Sequence, residues 1–496
     1  MTAGQLFGAA GIAYPPHIAD ISISRIVTDS REACRDCIFI CLSGHNTDGH
    51  RYIDEAIKKG AVVIVAEQVR DECVGGAAII KVENTRRAAA KLYNIQCGIN
   101  TLDLHIVGVT GTNGKTSVCA MLESIFLAAG VRCAVMGTTG CRVGGRRIEG
   151  GGGLTTPDVH ELFPLLAKIA GEGVGYVFME VSSHALAQHR VDGICFEWGV
   201  FTGLTRDHLD FHNDMEDYFL TKASLFSACG GGIINIDGAY GKRLADMYPH
   251  CVTCSVGGEG DFCATDVKYS PRGCEYKLKH RGGELPVSTS ALGDFSAPNS
   301  LLAAVTALQM GIDQAAVIGG LSRFCGAEGR MERVVTDAPF EVIIDFAHTP
   351  DALERALKSA SYLRGDGGRV IVVFGCGGDR DRGKRREMGG IASRLADEVV
   401  VTSDNPRSER REDIITDILR GVDKERPYKV IVSRRDAIEY ALGVARQGDV
   451  VLLAGKGHER YEIDTEGKHF FDEREIVRTA IEKKNDVLRL YSDKQI

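Results

Sequence analysis

The run Leu104-His105-Ile106-Val107-Gly108-Val109-Thr110-Gly111-Thr112-Asn113-Gly114-Lys115-Thr116 decides how the rest of this chain is read. Its first half is apolar and β-prone, and the following Ser117-Val118-Cys119-Ala120-Met121-Leu122-Glu123 has a helical pattern. Strand, glycine loop, lysine with hydroxyl neighbour and helix form the layout that grips nucleotide phosphates. Glycines let backbone N–H groups close around phosphate oxygens, and the helix N-terminus adds partial positive charge. In that layout Gly111, Thr112, Asn113 and Gly114 cradle the phosphates of ATP, Lys115 reaches the terminal ones, and Thr116 offers its hydroxyl to Mg2+. The strict pattern places its first glycine at position 109, which is Val109 here. The string alone therefore also fits a strand-to-helix turn with a surface lysine. Its surroundings favour ATP.

At 496 residues the chain is too long for one core, and about three domains are expected. A hydrophobic share of 44% beside 25% charged residues is that of an ordinary globular protein. The net charge of −8 argues against a general nucleic-acid or membrane-surface binder. The 16 cysteines are scattered, and the lone Cys34-x-x-Cys37 has no second pair or histidines at zinc spacing. Free thiols in a reducing cytosol fit that pattern. No basic region precedes the first apolar run, Pro15-Pro16 interrupts it, and no run approaches a membrane span. A cytoplasmic protein is expected.

Three blocks can be drawn, over 1–100, 101–335 and 336–496. The first alternates strand-like runs such as Cys37–Leu42 and Ala61–Ala66 with helical stretches such as Tyr52–Lys59. The second opens at the glycine-loop strand and continues with strands at Val174–Met179 and Trp198–Leu204. The third carries apolar runs at Phe340–Ile344, Arg369–Phe374, Glu398–Thr402 and Asp449–Ala454. Such runs, spaced by helical segments, predict an α/β chain with buried parallel sheets. Gly144–Gly153 reads as a glycine-rich loop.

In open parallel sheets, ligands sit at the carboxyl ends of strands. Glu180, Ser182, Ser183 and His184 follow one such strand, and Leu204-Thr205-Arg206-Asp207-His208-Leu209-Asp210 follows another. Glu180 and His208 near a phosphate loop suit a magnesium shell; singly, each also fits a capping carboxylate or a loop histidine. Lys222 lies among aromatics in the helical Tyr218–Phe226, where a lysine ordinarily snorkels to solvent. The Gly375–Arg385 loop follows a strand, but its spacing misses the dinucleotide fingerprint, and it fits either an anionic ligand or a solvated charged loop. Asp404-Asn405-Pro406-Arg407 fits a plain turn or an arginine fork for a carboxylate. Gly455-Lys456-Gly457-His458-Glu459 could set Glu459 against an ammonium.

Taken in order, these strings stop being independent. With Thr155-Thr156-Pro157, Gly329-Arg330-Met331-Glu332 and Asp345-Phe346-Ala347-His348-Thr349-Pro350, the series resembles the Mur ligases of peptidoglycan synthesis over nearly the whole chain. The resemblance implies three domains: a smaller α/β N-terminal domain for the UDP end of the substrate, a central P-loop ATPase with a parallel sheet, and a C-terminal Rossmann-like domain. It implies that ATP phosphorylates the D-Glu γ-carboxylate of UDP-N-acetylmuramoyl-L-Ala-D-Glu, and that an amino acid's amine attacks the acyl phosphate.

By motif position, the resemblance implies that Thr116 and Glu180 hold one magnesium and His208 a second. Lys222 matches the family's carbamylated lysine, a carboxylate-like anion able to bind metal, and Lys115, Glu180, His208 and Lys222 would be the catalytic set. Asn299, Arg330 and Asp345 would contact ATP. Thr155, Thr156, Ser182, Gln188 and Arg190 would hold the UDP-muramoyl dipeptide, and Ser30, His45 and Asn46 its uridine end. Ser296 stands where the family usually has asparagine, which leaves one ATP-side hydrogen bond open. Asp404, Asn405, Pro406 and Arg407 match the members that add meso-diaminopimelate. Arg407 would clasp its distal carboxylate, Glu459 and the Gly455 carbonyl would take its ammonium, and Arg380 would assist at the other end. L-lysine lacks that carboxylate and would leave the arginine unpaired. A monomer without nucleic-acid or membrane partners is expected.

Three other readings compete. Folylpolyglutamate synthase uses the same ATP chemistry but begins near its P-loop, whereas about 100 residues, including Asp29-Ser30-Arg31, precede it here. A non-catalytic relative would be free to lose Lys115, Glu180, His208 and Lys222. A nicotinamide dehydrogenase lacks its fingerprint.

Overall fold

The apolar runs form strands, and those of the last block are buried along their whole length: Val370–Phe374 and Val450–Ala454 have no accessible residue. The computed structural model describes residues 1–44, 47–68, 73–151, 153–209 and 211–492. It divides into two units, Met1–Leu204 with Phe211–Thr253, and Thr205–Asp210 with Cys254–Ile496.

The first unit holds two sheets. Near the N-terminus, Ile26–Val27, Cys37–Ile40, Ala61–Ala66 and Ala77–Lys81 run parallel in that order, with Cys73–Val74 antiparallel at the edge. In the second sheet the glycine-loop strand His105–Thr110 is central. Tyr176–Glu180 and Phe196–Phe201 flank it, and all three are parallel. Cys133–Gly137 and Cys229–Asn235 extend the sheet on either side in the same sense. Parallel neighbours bring their carboxyl ends to one edge, which gathers Thr110, Gly137, Glu180 and Phe201 there. Gly144–Gly153 is not all loop: Gly140–Val143 and Arg146–Ile148 pair antiparallel. Gly144 and Gly145, at φ 55° and 79°, make the tight turn between them.

In the second unit, Phe262–Ser270, Gly273–His280 and Gly283–Thr289 form an antiparallel meander. The last block is a six-stranded sheet ordered Glu332–Arg333, Glu341–Asp345, Val450–Ala454, Val370–Phe374, Glu398–Val401, Tyr428–Val430, parallel except for the first strand. Helices cover both faces. Val370, Val372 and Phe374 pack with Leu357 and Met388 on one side, while Ile371 and Val373 pack with Ile438 and Val477 on the other. That alternation is the two-residue period of a strand buried on both faces. Each such side chain contributes about 1.5–3 kcal/mol of burial. Among the described residues no helix is long and apolar enough to cross a membrane, and the described cysteines are free thiols.

Candidate active site

The glycine loop begins later than the strict phosphate-loop pattern. Val109 is a fully buried strand residue paired with Glu180 and Val200, so no turn is needed there. The chain turns at Gly111, φ 144°, where a Cβ would lie 2.0 Å from Thr202 Oγ1. Gly114, at φ 90°, then starts the helix Lys115–Ala128. The end of the neighbouring strand braces the loop: the Thr112 N–H donates to the Gly203 carbonyl at 2.9 Å, and the Thr202 hydroxyl donates to the Asn113 carbonyl. Lys115 Nζ folds over this loop, donating to the Gly111 and Thr112 carbonyls at 3.0 and 2.9 Å.

Beside it sits the buried Glu180. Its Oε2 accepts from the Thr116 hydroxyl at 2.9 Å, and its Oε1 accepts from the Thr138 N–H at 2.9 Å. Thr138 Oγ1 lies 3.1 Å from both Glu180 Oε2 and Thr155 Oγ1, and its one proton can be donated to either. The Thr156 hydroxyl donates to the Glu180 carbonyl at 2.8 Å and accepts from the Ser182 N–H at 3.0 Å. Arg190 donates to the Thr156 carbonyl at 2.9 Å and to Gln188 Oε1 at 2.6 Å. Thr155, Thr156, Ser182, Gln188 and Arg190 thus form one network around the glutamate.

Lys222 does not snorkel to solvent. It is buried on the helix Met215–Ala223 and donates to the Gly111 carbonyl at 2.9 Å, with its ammonium 4.8 Å from the centre of the Tyr218 ring. Thr116, Glu180 and Lys222 therefore gather around one loop. The hydroxyl–carboxylate oxygen pair of Thr116 and Glu180 suits a hard cation that takes few protein ligands and completes its shell with water and phosphate, as Mg2+ does. Ser30, also in this unit, is buried, with its hydroxyl on Glu55 Oε2 at 3.1 Å and its carbonyl accepting from Lys59 at 3.0 Å. His45 and Asn46 lie outside the described residues.

The other candidates belong to the second unit. His208, at φ 55°, has Nε2 3.5 Å from Asp207 Oδ2. Asn299 and Ser296 are buried on the helix Ser296–Gln309, and Ser296 donates to the Gly293 carbonyl at 2.6 Å. Asp345 ends its strand and accepts from the Met331 N–H at 2.7 Å, while the Arg330 guanidinium lies 4.9 Å from the centre of the Phe346 ring. Burial pushes the Asp345 carboxyl above its ordinary value against the pull of Arg330.

At the ends of three strands of the same sheet, Asp404–Arg407, Gly455–Glu459 and Gly375–Arg380 converge. Asn405 Nδ2 donates to Glu459 Oε2 at 2.7 Å, and a Cβ on Gly455 would lie 2.6 Å from Asp404 Oδ2. Arg407, at φ 53°, donates to the Gly378 carbonyl at 2.8 Å, and Gly378 donates to the Asn405 carbonyl at 2.9 Å. Arg380 is exposed, with Nη1 on the Asp379 carbonyl at 3.0 Å. Burial, then the charge of Arg380, depress the Arg407 pKa; burial, then Asp404, raise that of Glu459. An anion beside Arg407 and a cation beside Glu459 would relieve both, so the pair suits a zwitterion.

Thr138, Lys456, Arg474 and Glu409, which support these groups, were not singled out from sequence. Thr138 was within reach, since it directly follows the strand Cys133–Gly137 while Glu180 ends the neighbouring one.

Models of the Mur ligase family match the chain three times: the Mur ligase family catalytic domain over residues 22–98, the Mur ligase middle domain over 109–307, and the Mur ligase glutamate ligase domain over 329–457. A UDP-N-acetylmuramoyl-L-alanyl-D-glutamate--2,6-diaminopimelate ligase of Clostridium acetobutylicum is 40% identical over 472 residues, covering 94% of this chain and 96% of its own. One from Gloeobacter violaceus is 42% identical over 473 residues at the same coverage. A solved structure of a ligase of that name matches with TM-score 0.70 and 32% identity, over 98% of this chain and 100% of its own. On these full-length matches, and with its strand-end motifs gathered as described, the chain belongs to the Mur ligase family.

Proposed function

We propose that the chain joins meso-2,6-diaminopimelate to the D-Glu γ-carboxylate of UDP-N-acetylmuramoyl-L-Ala-D-Glu at the expense of ATP, a step of peptidoglycan synthesis. The observation that carries this reading is the convergence of Asn405, Arg407, Gly455 and Glu459 in a chain about 40% identical to ligases named for 2,6-diaminopimelate. In this reading the blocks 1–100, 101–335 and 336–496 serve as UDP-substrate, ATP and amino-acid domains. The enzyme acts in the cytoplasm as a monomer.

A carboxylate resists attack by an amine until one oxygen becomes a leaving group. A γ-carboxylate oxygen attacks the terminal phosphorus of ATP, and ADP departs. The amine of meso-diaminopimelate then attacks the acyl carbon, the C–O bond breaks, phosphate leaves, and the nitrogen loses its proton. Such transfer needs chiefly positioning and charge neutralisation. The N–H groups of Gly111–Gly114 and the Lys115 ammonium would hold the phosphates, and Asn299, Arg330 and Asp345 the rest of the nucleotide. Thr116 and Glu180 would hold one Mg2+ and His208 a second, and a carbamylated Lys222 would also be able to bind metal; such ions would supply positive charge to the phosphate oxygens. A carbamate on Lys222 keeps one N–H, which can still serve the Gly111 carbonyl. Thr155, Thr156, Ser182, Gln188 and Arg190 would position the dipeptide, and Ser30, His45 and Asn46 the uridine. Arg407 clasps the distal carboxylate, Glu459 with the Gly455 carbonyl takes the distal ammonium, and Arg380 assists at the other end of the amino acid.

Phosphate release from ATP with UDP-N-acetylmuramoyl-L-Ala-D-Glu tests the reading. Release with meso-diaminopimelate but not L-lysine is expected. Release with L-lysine alone would discard the role given to Arg407, and silence with both would discard the ligase.

A further inference from the structure

Lys456 is fully buried just beyond the strand Val450–Ala454. An ammonium in that position is costly unless its donors are satisfied. Its Nζ donates to Asn405 Oδ1 at 2.9 Å and to the Tyr461 carbonyl at 2.8 Å, and lies 5.5 Å from the centre of the Phe471 ring. The Ile463 N–H donates to the same Asn405 Oδ1 at 3.0 Å. On its other side, Asn405 Nδ2 donates to Glu459 Oε2 at 2.7 Å, and Glu459 Oε1 lies 3.3 Å from the Tyr461 hydroxyl.

Chemistry therefore fixes the orientation of the Asn405 amide. Two donors face its oxygen and a carboxylate faces its nitrogen. A flipped amide would set N–H against N–H and carbonyl against carboxylate. With Oδ1 occupied by Lys456 and Ile463, the amide has only N–H to offer elsewhere, and its second hydrogen suits a ligand carboxylate. Lys456 also supplies a buried positive charge beside Asp404, whose carboxyl it holds down together with Arg434 against the opposing effect of burial.

We propose that Lys456 is a positioning residue for the acceptor amino acid: by locking the Asn405 amide it makes that amide a pure donor toward the distal carboxylate and holds Glu459 ready for the distal ammonium. The proposal rests on the meso-diaminopimelate reading above. Lys456 touches no substrate in this scheme and acts through Asn405 and Glu459.

The test is steady-state phosphate release by Lys456→Met, which keeps the apolar stem and removes the ammonium. The KM for meso-diaminopimelate should rise ~10–100-fold, the range for losing a hydrogen bond from a charged donor. The KM values for ATP and the UDP-dipeptide should stay close to wild type. Charged or titratable groups facing Glu459 are Asp404, Arg407, Lys456 and Tyr461. Of these, Lys456 opposes the rise in Glu459 pKa, so its loss should move the acid limb of kcat/KM for meso-diaminopimelate to higher pH. Lys456→Gln, which keeps a donor, should recover part of the KM. In an Asn405→Ala background, Lys456→Met should add little further.

A wild-type KM in Lys456→Met, or a parallel rise in the KM for all three substrates without a shift in the pH limb, would overturn the proposal. If Lys456→Met gives no folded protein, Lys456→Gln carries the test, and an unmoved pH limb with a wild-type KM there overturns it equally. A wild-type enzyme that ignores meso-diaminopimelate overturns the substrate reading itself, and the proposal with it. A wild type that uses it beside an unaffected variant overturns the positioning role alone.

Discussion

Arg474 Nε donates to Glu332 Oε1 at 2.8 Å, while its Nη2 meets Glu332 Oε2 and, at 3.2 Å, the Gly457 carbonyl. Glu332 Oε2 also accepts from the Gly329 N–H at 2.6 Å. One guanidinium thus ties the loop carrying Arg330 to the loop carrying Glu459. The loops touch backbone to backbone: a Cβ on Gly329 would lie 2.0 Å from the His458 nitrogen. Arg474→Ala leaves Glu332 without its counter-charge and should cost about 1–3 kcal/mol, since that carboxylate keeps some access to water. The KM values for ATP and for the acceptor amino acid should rise together. Urea unfolding with steady-state kinetics checks this, and movement of only one KM would mean that the loops respond separately.

Gly137 ends the strand next to Glu180. A Cβ there would lie 2.1 Å from Glu180 Oε1 and 2.7 Å from its Cγ. Gly137→Ala must therefore push the carboxylate off Thr116 and Thr138, although neither residue is itself changed. Activity should fall ~10²-fold, as expected for misplacing a reacting group by about 1 Å. The melting temperature should move by only a few degrees, because the displaced group is one side chain and not the sheet. Phosphate release compared with thermal melting decides it, and full activity would remove Glu180 from the mechanism.

What sequence could and could not reveal follows from where the information lies. Val370–Phe374 and Val450–Ala454 were legible because a strand buried on both faces is apolar throughout. The glycine loop and the strand-end motifs were legible because their chemistry is local. Gly273–His280 is harder to read from sequence, although buried Cys274, Tyr276 and Leu278 alternate with exposed Glu275, Lys277 and Lys279. Its charges concealed a half-buried strand. Lys222 was legible only by resemblance: its partner is the Gly111 carbonyl, 111 residues away, and nothing near it in sequence announces that bond. Arg474 is similar, since its carboxylate lies 142 residues upstream. Burial of a charge depends on a distant partner, and periodicity is silent about partners.

Arg385 is fully buried and donates to Glu409 Oε1 at 2.8 Å and Oε2 at 3.0 Å, joining its helix to the loop just after Arg407. The Arg385 hydrogen bonds outweigh burial and hold the Glu409 carboxyl at about 2, against an ordinary 4.5. A depressed pKa means that the unfolded chain takes up the proton first as pH falls. The stabilisation from Glu409 is therefore complete above the ordinary value of 4.5 and fades as pH drops toward about 2. Glu409→Gln should be less stable than wild type at neutral pH, with the gap narrowing across that window. Urea unfolding at several pH values checks this; a gap independent of pH would mean that the carboxylate charge contributes nothing.

Arg407 sits at φ 53°, in the left-handed region that a branched or bulky side chain enters at a cost. Its side chain is half-buried beside Arg380, and burial followed by that like charge disfavours the cation. Neither feature stabilises the fold, which accords with the binding role proposed for this residue. Arg407→Gly removes the strain and the buried charge, and should unfold no more readily than wild type. The same change deletes the proposed fork for the distal carboxylate, so the KM for meso-diaminopimelate should rise ~10²-fold, the scale of losing paired charge-assisted hydrogen bonds. The KM for ATP should hold. Use of L-lysine, which has no distal carboxylate, should improve relative to meso-diaminopimelate. Kinetics with both amino acids, alongside thermal melting of the two proteins, separates the roles. A variant that loses stability while keeping its KM would make Arg407 a structural residue, because a group kept for binding must cost more in substrate than in fold.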